Sequence, residues 1–92
     1  MQETVEMKYG YVTYANMNEG WLGKMGEPLA KEMARVKEDY KAKGFHMKYW
    51  GHCFGVSENI MVVLVSDNDL DSYLRTGVDT PYGNQRTTLA IK

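Results

Sequence analysis

Three reactive side chains fall in the stretch GFHMKYWGHCFG: His46, His52 and Cys53, the last being the only cysteine of the chain. Two imidazoles and a thiol suggest either a metal site or a nucleophile paired with a base. Spacing argues against both. If the stretch is a strand, six residues at about 3.3 Å each set the imidazoles roughly 20 Å apart, too far for one ion. Alternation points Cys53 to the face opposite both histidines, and no third group is placed to orient a pair. No metal and no cofactor is expected, and Cys53 reads as a small apolar side chain, as free cysteines commonly are. His52 remains the candidate catalytic residue. Histidine is the side-chain type suited to general base work near neutral pH. His52 stands near Trp50 between Gly51 and Gly55, where a ligand or a bulge finds room. A bulge at Gly51 would turn His52 to the other face of the strand.

The tyrosines form a second constellation. Phenols have apolar bodies and polar tips, which suits a pocket that orients a polar aromatic substrate. Tyr11, Tyr14 and Tyr49 are the candidates to orient such a substrate, with Trp21 and Trp50 as pocket lining. The same residues, with Tyr9 and Tyr73, also suit an ordinary core whose hydroxyls reach its rim. YGYVTY, residues 9–14, resembles the octapeptide on which RNA-recognition motifs stack bases. That octapeptide belongs on a third strand, whereas this one lies on the first, and the chain is slightly acidic. GWLGKMG, residues 20–26, lacks the Gly-Lys-Ser/Thr ending of a phosphate loop, and Glu27 would repel an anion there. Trp21 in that segment is either a flap over a pocket mouth or a packing residue.

These residues need elements to hold them. Residues 7–16, rich in Tyr, Val and Thr, predict a first strand. Leu22, Met25, Leu29, Met33, Val36 and Tyr40 recur at steps of three and four, which is one helical stripe. Pro28 suits a first helical turn, so the stripe divides into a turn over residues 18–25 and a main helix over 27–43, stopped by Gly44 in the left-handed conformation. Residues 45–54 and 60–66 predict two more strands, the latter apolar on both faces. SDNDLDSYLRTG predicts a short helix capped by Asp67 or Asn68, with Leu70, Tyr73 and Leu74 inward and Gly77 at its end. Residues 86–91 form a last strand.

The order β-α-β-β-α-β is that of a split, ferredoxin-like α+β sandwich, a four-stranded antiparallel sheet with two helices on one face and strand order 4-1-3-2. At 92 residues the chain is one domain, 1–92, small enough that its core alone gives marginal stability. The 11 basic and 12 acidic residues leave a net charge of -1, which gives no reason to expect nucleic acid or an anionic membrane as partner. The acidic opening without an apolar run predicts no signal peptide, and the six aliphatic residues 60–65 are too few to span a membrane. The chain is expected in the cytoplasm. If Phe45, Met47, Tyr49 and Cys53 face the helices, Trp50 and Phe54 face the other way with His46, Lys48 and His52. One set of aliphatic residues from the third strand joins them on that uncovered face. A patch of this size marks an interaction site, and a second copy is its natural cover.

An element order of this kind with a sheet apolar on both faces resembles the dimeric α+β barrel superfamily, over residues 7–91. The group includes cofactor-free monooxygenases, muconolactone isomerases, polyketide cyclases and stress-responsive barrel proteins. The resemblance implies a homodimer in which two sheets meet, with a pocket for a small organic ligand between sheet and helices. Its chemistry would be cofactor-free oxygenation, isomerisation or cyclisation of a small, partly aromatic compound. It equally implies a non-catalytic dimeric binding or stress-related protein. No catalytic residue is carried over from it.

Overall fold

A computed structural model describes residues 7–21, 24 and 26–92 of the chain. The elements run β1 (Tyr9–Met17), a 3₁₀ turn (Glu19–Trp21), α1 (Glu27–Ala42), β2 (His46–Gly51), β3 (Ile60–Ser66), α2 (Leu70–Leu74) and β4 (Tyr82–Ile91). They form an α+β unit with one open antiparallel sheet in the order β2-β3-β1-β4, consistent with a ferredoxin-like fold. The two most apolar strands are central, where both edges are paired. Among the described residues no helix is long and apolar enough to cross a membrane.

The stripe of α1 buries Leu29, Met33, Val36 and Tyr40 on the sheet, each side chain contributing roughly 1.5–3 kcal/mol. Leu22 and Met25, predicted to extend that stripe, lie outside the described residues. Pro28 sits in the first turn, where its missing N–H costs nothing. The other end closes as Gly44 N–H donates to the Lys41 carbonyl and Phe45 N–H to that of Tyr40. Gly44 has φ +87°, which favours glycine, and a Cβ there would also displace the Asn68 amide nitrogen, 2.5 Å away. Ser66 ties the same corner down by donating to the Gly44 carbonyl at 2.6 Å.

Sheet register decides which residues meet the helices. Tyr11, Thr13 and Ala15 pair with Leu64, Val62 and Ile60, and all six are buried beneath α1 and α2. Val12 and Tyr14 pair with Val63 and Met61 on the opposite face, which no helix covers. On β2 the register slips between Met47 and Tyr49. Lys48 is the extra residue of that bulge, and it reverses the alternation that follows. Met47 pairs with Leu64 on the helix side, but Tyr49 pairs with Val63 and Trp50 with Val62. Tyr49 therefore stands on the uncovered face, 54% exposed, and Trp50 packs against the core, the reverse of the expected arrangement. Phe54 lies beyond the strand and is exposed on no face of the sheet.

The short helix also departs from expectation. Its cap is Asp69, whose carboxylate accepts from Ser72 N–H at 3.0 Å, not Asp67 or Asn68. Only Tyr73 turns inward, while Leu70 and Leu74 are exposed. Five residues offer little more than one turn, and the largest side chain takes the inward position. The last strand begins at Tyr82, four residues earlier than predicted, with Asn84 in the left-handed region at φ 54° where β1 and β4 change register.

Candidate functional site

The sequence candidates do not converge. His52 is exposed just past β2, its ring edge-on to Trp50 with centroids 6.2 Å apart. Those two are the only candidates brought together, and they sit at the sheet edge. Trp21 and Trp50 are partly buried against the core, Trp21 with the Lys24 ammonium 5.9 Å from its ring. Tyr14 is on the uncovered face beneath the Arg86 guanidinium, 4.8 Å from the ring centroid. Tyr49 folds over Gly51, where its hydroxyl leaves 2.8 Å for any added Cβ. Tyr11 is fully buried and donates to the Asn68 carbonyl at 2.7 Å. Cys53 is half-buried, its Sγ 3.3 Å from the Glu58 carbonyl.

A different group does converge, between α1, α2 and the β1–β4 half of the sheet. Tyr73 from α2 lies between two other phenols. Its ring stacks on Tyr11 at 4.7 Å and 19°, and runs nearly parallel to Tyr40 of α1 at 6.5 Å and 11°. Such offset stacks fix ring orientation as well as burying area. The Tyr73 hydroxyl then reaches Thr13 Oγ1 at 3.1 Å, Thr87 Oγ1 at 3.4 Å and Gln85 Oε1 at 3.5 Å. Thr13 and Thr87 are direct cross-strand partners and bond each other at 2.8 Å. The result is a continuous set of hydroxyls running from the buried sheet to the rim.

Tyr73 and Gln85 of this set also line a cleft of about 180 Å³, together with Tyr40, Thr76 and Val78 among others. Gly77, at φ +62° with open space where a Cβ would stand, carries the chain past its mouth. Burial pushes the Tyr40 phenol above its ordinary range, with Tyr73 adding to the effect. Burial does the same to Tyr82, with Tyr40 beside it. Tyr11 is raised by burial first and by the Asp69 carboxylate second. These phenols stay neutral at physiological pH and act as hydroxyl donors and acceptors, not as charged groups. The cleft is equipped to hydrogen-bond a small polar molecule beside an aromatic wall.

Among the described residues, no three side chains of His, Cys, Asp and Glu gather as a metal site would require. Sequence reasoning named Tyr73 but missed Thr13, Tyr40, Gln85 and Thr87 as its company. The only available signal was the alternation of β1, which puts Tyr11 and Thr13 on one face. No protein-family model, curated protein or solved structure matches this chain.

Proposed function

We propose that this chain is a homodimeric small-molecule-binding protein, with the tyrosine–threonine cleft as its ligand site and the uncovered sheet face as its subunit contact. The observation that carries the binding role is a cleft lined by Tyr40, Tyr73, Thr76 and Gln85, with the Tyr73 ring aligned to Tyr40 and its hydroxyl fixed by the buried Thr13–Thr87 pair. It favours a small, uncharged, partly aromatic ligand with at least one hydroxyl or carbonyl group. It also favours binding over catalysis, because the raised phenols in and beside the cleft offer no base at neutral pH, and His52 does not line it. Met33, Phe45 and Met47 are buried in the core.

The dimer is supported by the composition and size of the bare face. Val12, Tyr14, Met61, Val63 and Val65 form its centre, and Tyr49 extends it. A four-stranded sheet of these lengths presents roughly 500 Å² in projection, the same order as the ~800 Å² per partner of a standard interface. Arg86, the cation at its rim, is already neutralised by Glu58 at 2.9 Å, so two copies of the face meet without net repulsion.

A thermal-shift screen of phenols and aromatic carbonyl compounds on wild type, Tyr73→Phe and His52→Gln tests the site. Tyr73→Phe keeps the ring stack but removes the hydroxyl, and should weaken binding about tenfold, as expected for loss of a hydrogen bond of ~1–1.5 kcal/mol. His52→Gln should bind as wild type does. The opposite pattern would return the site to the β2 edge.

A further inference from the structure

A second cleft, of about 240 Å³, lies at the other edge of the sheet, between α1 and β2, and its lining differs in kind. Lys37 and Lys41 of α1 line it, with Met47, Lys48 and the start of β2 at His46, whose partner Val65 lies on the open face. At 3.6 residues per turn, Lys37 and Lys41 fall to one side of the buried stripe, and Glu32 and Asp39 to the other. The acidic flank is neutralised from within, since Arg35 pairs with both Glu32 and Asp39. The basic flank is not. Lys31, Arg35, Arg75 and Arg86 each hold a carboxylate, whereas Lys37, Lys41 and Lys48, like Lys8, Lys24 and Lys43 elsewhere, have no ion-pair partner among the described residues.

Three lysines line this one cleft, in a chain whose net charge of -1 gives no general reason for cations to gather. Lys48 is also the bulge residue of β2, and a bulge on an edge strand redirects a side chain that regular pairing would place elsewhere. From this convergence we infer that the cleft is a binding site for a small, multiply charged phosphoryl ligand. Lysines recognise phosphate as point charges that converge on it, without the planar fork a carboxylate pair exploits. Met47, which pairs with Leu64 on the helix side, supplies an apolar floor for a short carbon skeleton. The cleft is smaller than the ~300–1,000 Å³ of pockets that take drug-sized molecules, so a phosphate ester of a few carbons or a free diphosphate is the class that fits. The site lies at the sheet edge and on the helix flank, so it stands whether or not the bare sheet face pairs.

Calorimetry with glycerol phosphate, inorganic diphosphate and citrate, at low and high salt, tests it on the whole chain. One of the two phosphoryl probes should bind with a Kd below about 1 mM at low salt and weaken as salt rises. Tighter binding of glycerol phosphate assigns the site to phosphate esters, and tighter binding of diphosphate to the free anion. The paired substitution Lys37→Gln with Lys41→Gln, and Lys48→Gln separately, should each weaken binding about tenfold. Lys31→Gln, an exposed lysine paired with Glu27 outside the cleft, should leave it unchanged. Citrate binding as tightly as the phosphoryl probes, no binding of any probe, or equal loss in Lys31→Gln would overturn the assignment. All four lysines are surface groups, so folding survives each change.

Discussion

Val62 and Val63 are consecutive on β3, yet Val62 is sealed beneath the helices while Val63 stands on the open side of the sheet. Around Val62 the neighbours are Thr13 and Trp50. Around Val63 they are Val12 and Tyr49. Both faces are apolar at the centre, but only one has a cover within the chain. A strand exposed on one side of a monomer normally alternates apolar with polar residues. β3 does not, because Met61, Val63 and Val65 occupy the positions that would be polar. The covered face holds the fold together, and the open face is composed as though it too will be covered.

Substitutions on the two faces should therefore differ in kind. Leu64→Ala, beneath the helices, should cost about 2–5 kcal/mol of unfolding free energy through lost transfer energy and the cavity left behind. Chemical denaturation measures this directly, and a loss under ~1 kcal/mol would mean the covered face is not the organising core. Val63→Lys, on the open face, should leave the circular dichroism spectrum unchanged and convert a dimer into a monomer. Light scattering after size exclusion should give about twice 10.6 kDa for wild type and a single 10.6 kDa for the variant. A wild-type chain that runs as a monomer throughout a concentration series would erase the difference between the faces.

Thr13→Val probes the polar part of the covered face. It removes the hydroxyl that joins Tyr73 to Thr87 while keeping nearly the same volume. The loss should be about 1–2 kcal/mol, less than for Leu64→Ala, because Tyr73 keeps weaker contacts to Thr87 and Gln85. Ligand binding at the cleft should fall with it. Stability that drops without any change in binding would make the hydroxyl set a purely structural feature.

What the sequence disclosed follows from the same contrast. β3 was legible to the residue, Ile60–Ser66, because a continuous aliphatic run bounded by polar residues has few alternatives. α1 was legible to within one residue, since Pro28 marks its start and Gly44 its stop. The bulge of β2 was not. Glycines suggested Gly51 as the irregular position, whereas the extra residue is Lys48, which carries no such marker. That single slip exchanged Tyr49 and Trp50 and with them the composition of both faces. The cleft was hidden for a different reason. Thr13 and Thr87 are 74 residues apart and meet only through the β1–β4 register, which no local pattern specifies. The lysine cleft was hidden likewise, as Lys37, Lys41 and Lys48 belong to an ordinary solvated pattern until α1 is docked beside β2.

The smallest expected effect lies at the rim of the open face, where Arg86 sits over Tyr14 and bonds Glu58 through both Nε (3.1 Å) and Nη2 (2.9 Å). Those bonds hold the Glu58 carboxyl well below its ordinary 4.5, at about 2. A carboxyl lowered in the folded state lends stability that is fully present above its unfolded value and is lost as pH falls through the folded one. The stability difference between wild type and Glu58→Gln should thus be level above about pH 5 and shrink between pH 4.5 and about 2. The effect should be modest and should weaken with salt, because the Arg86 side chain is 56% exposed. Leu64→Ala provides the contrast, since no titrating group is removed and its difference from wild type should be flat over the same window. Urea titrations at several pH values check both. If the Glu58→Gln difference is flat as well, the pair does not hold Arg86 in place.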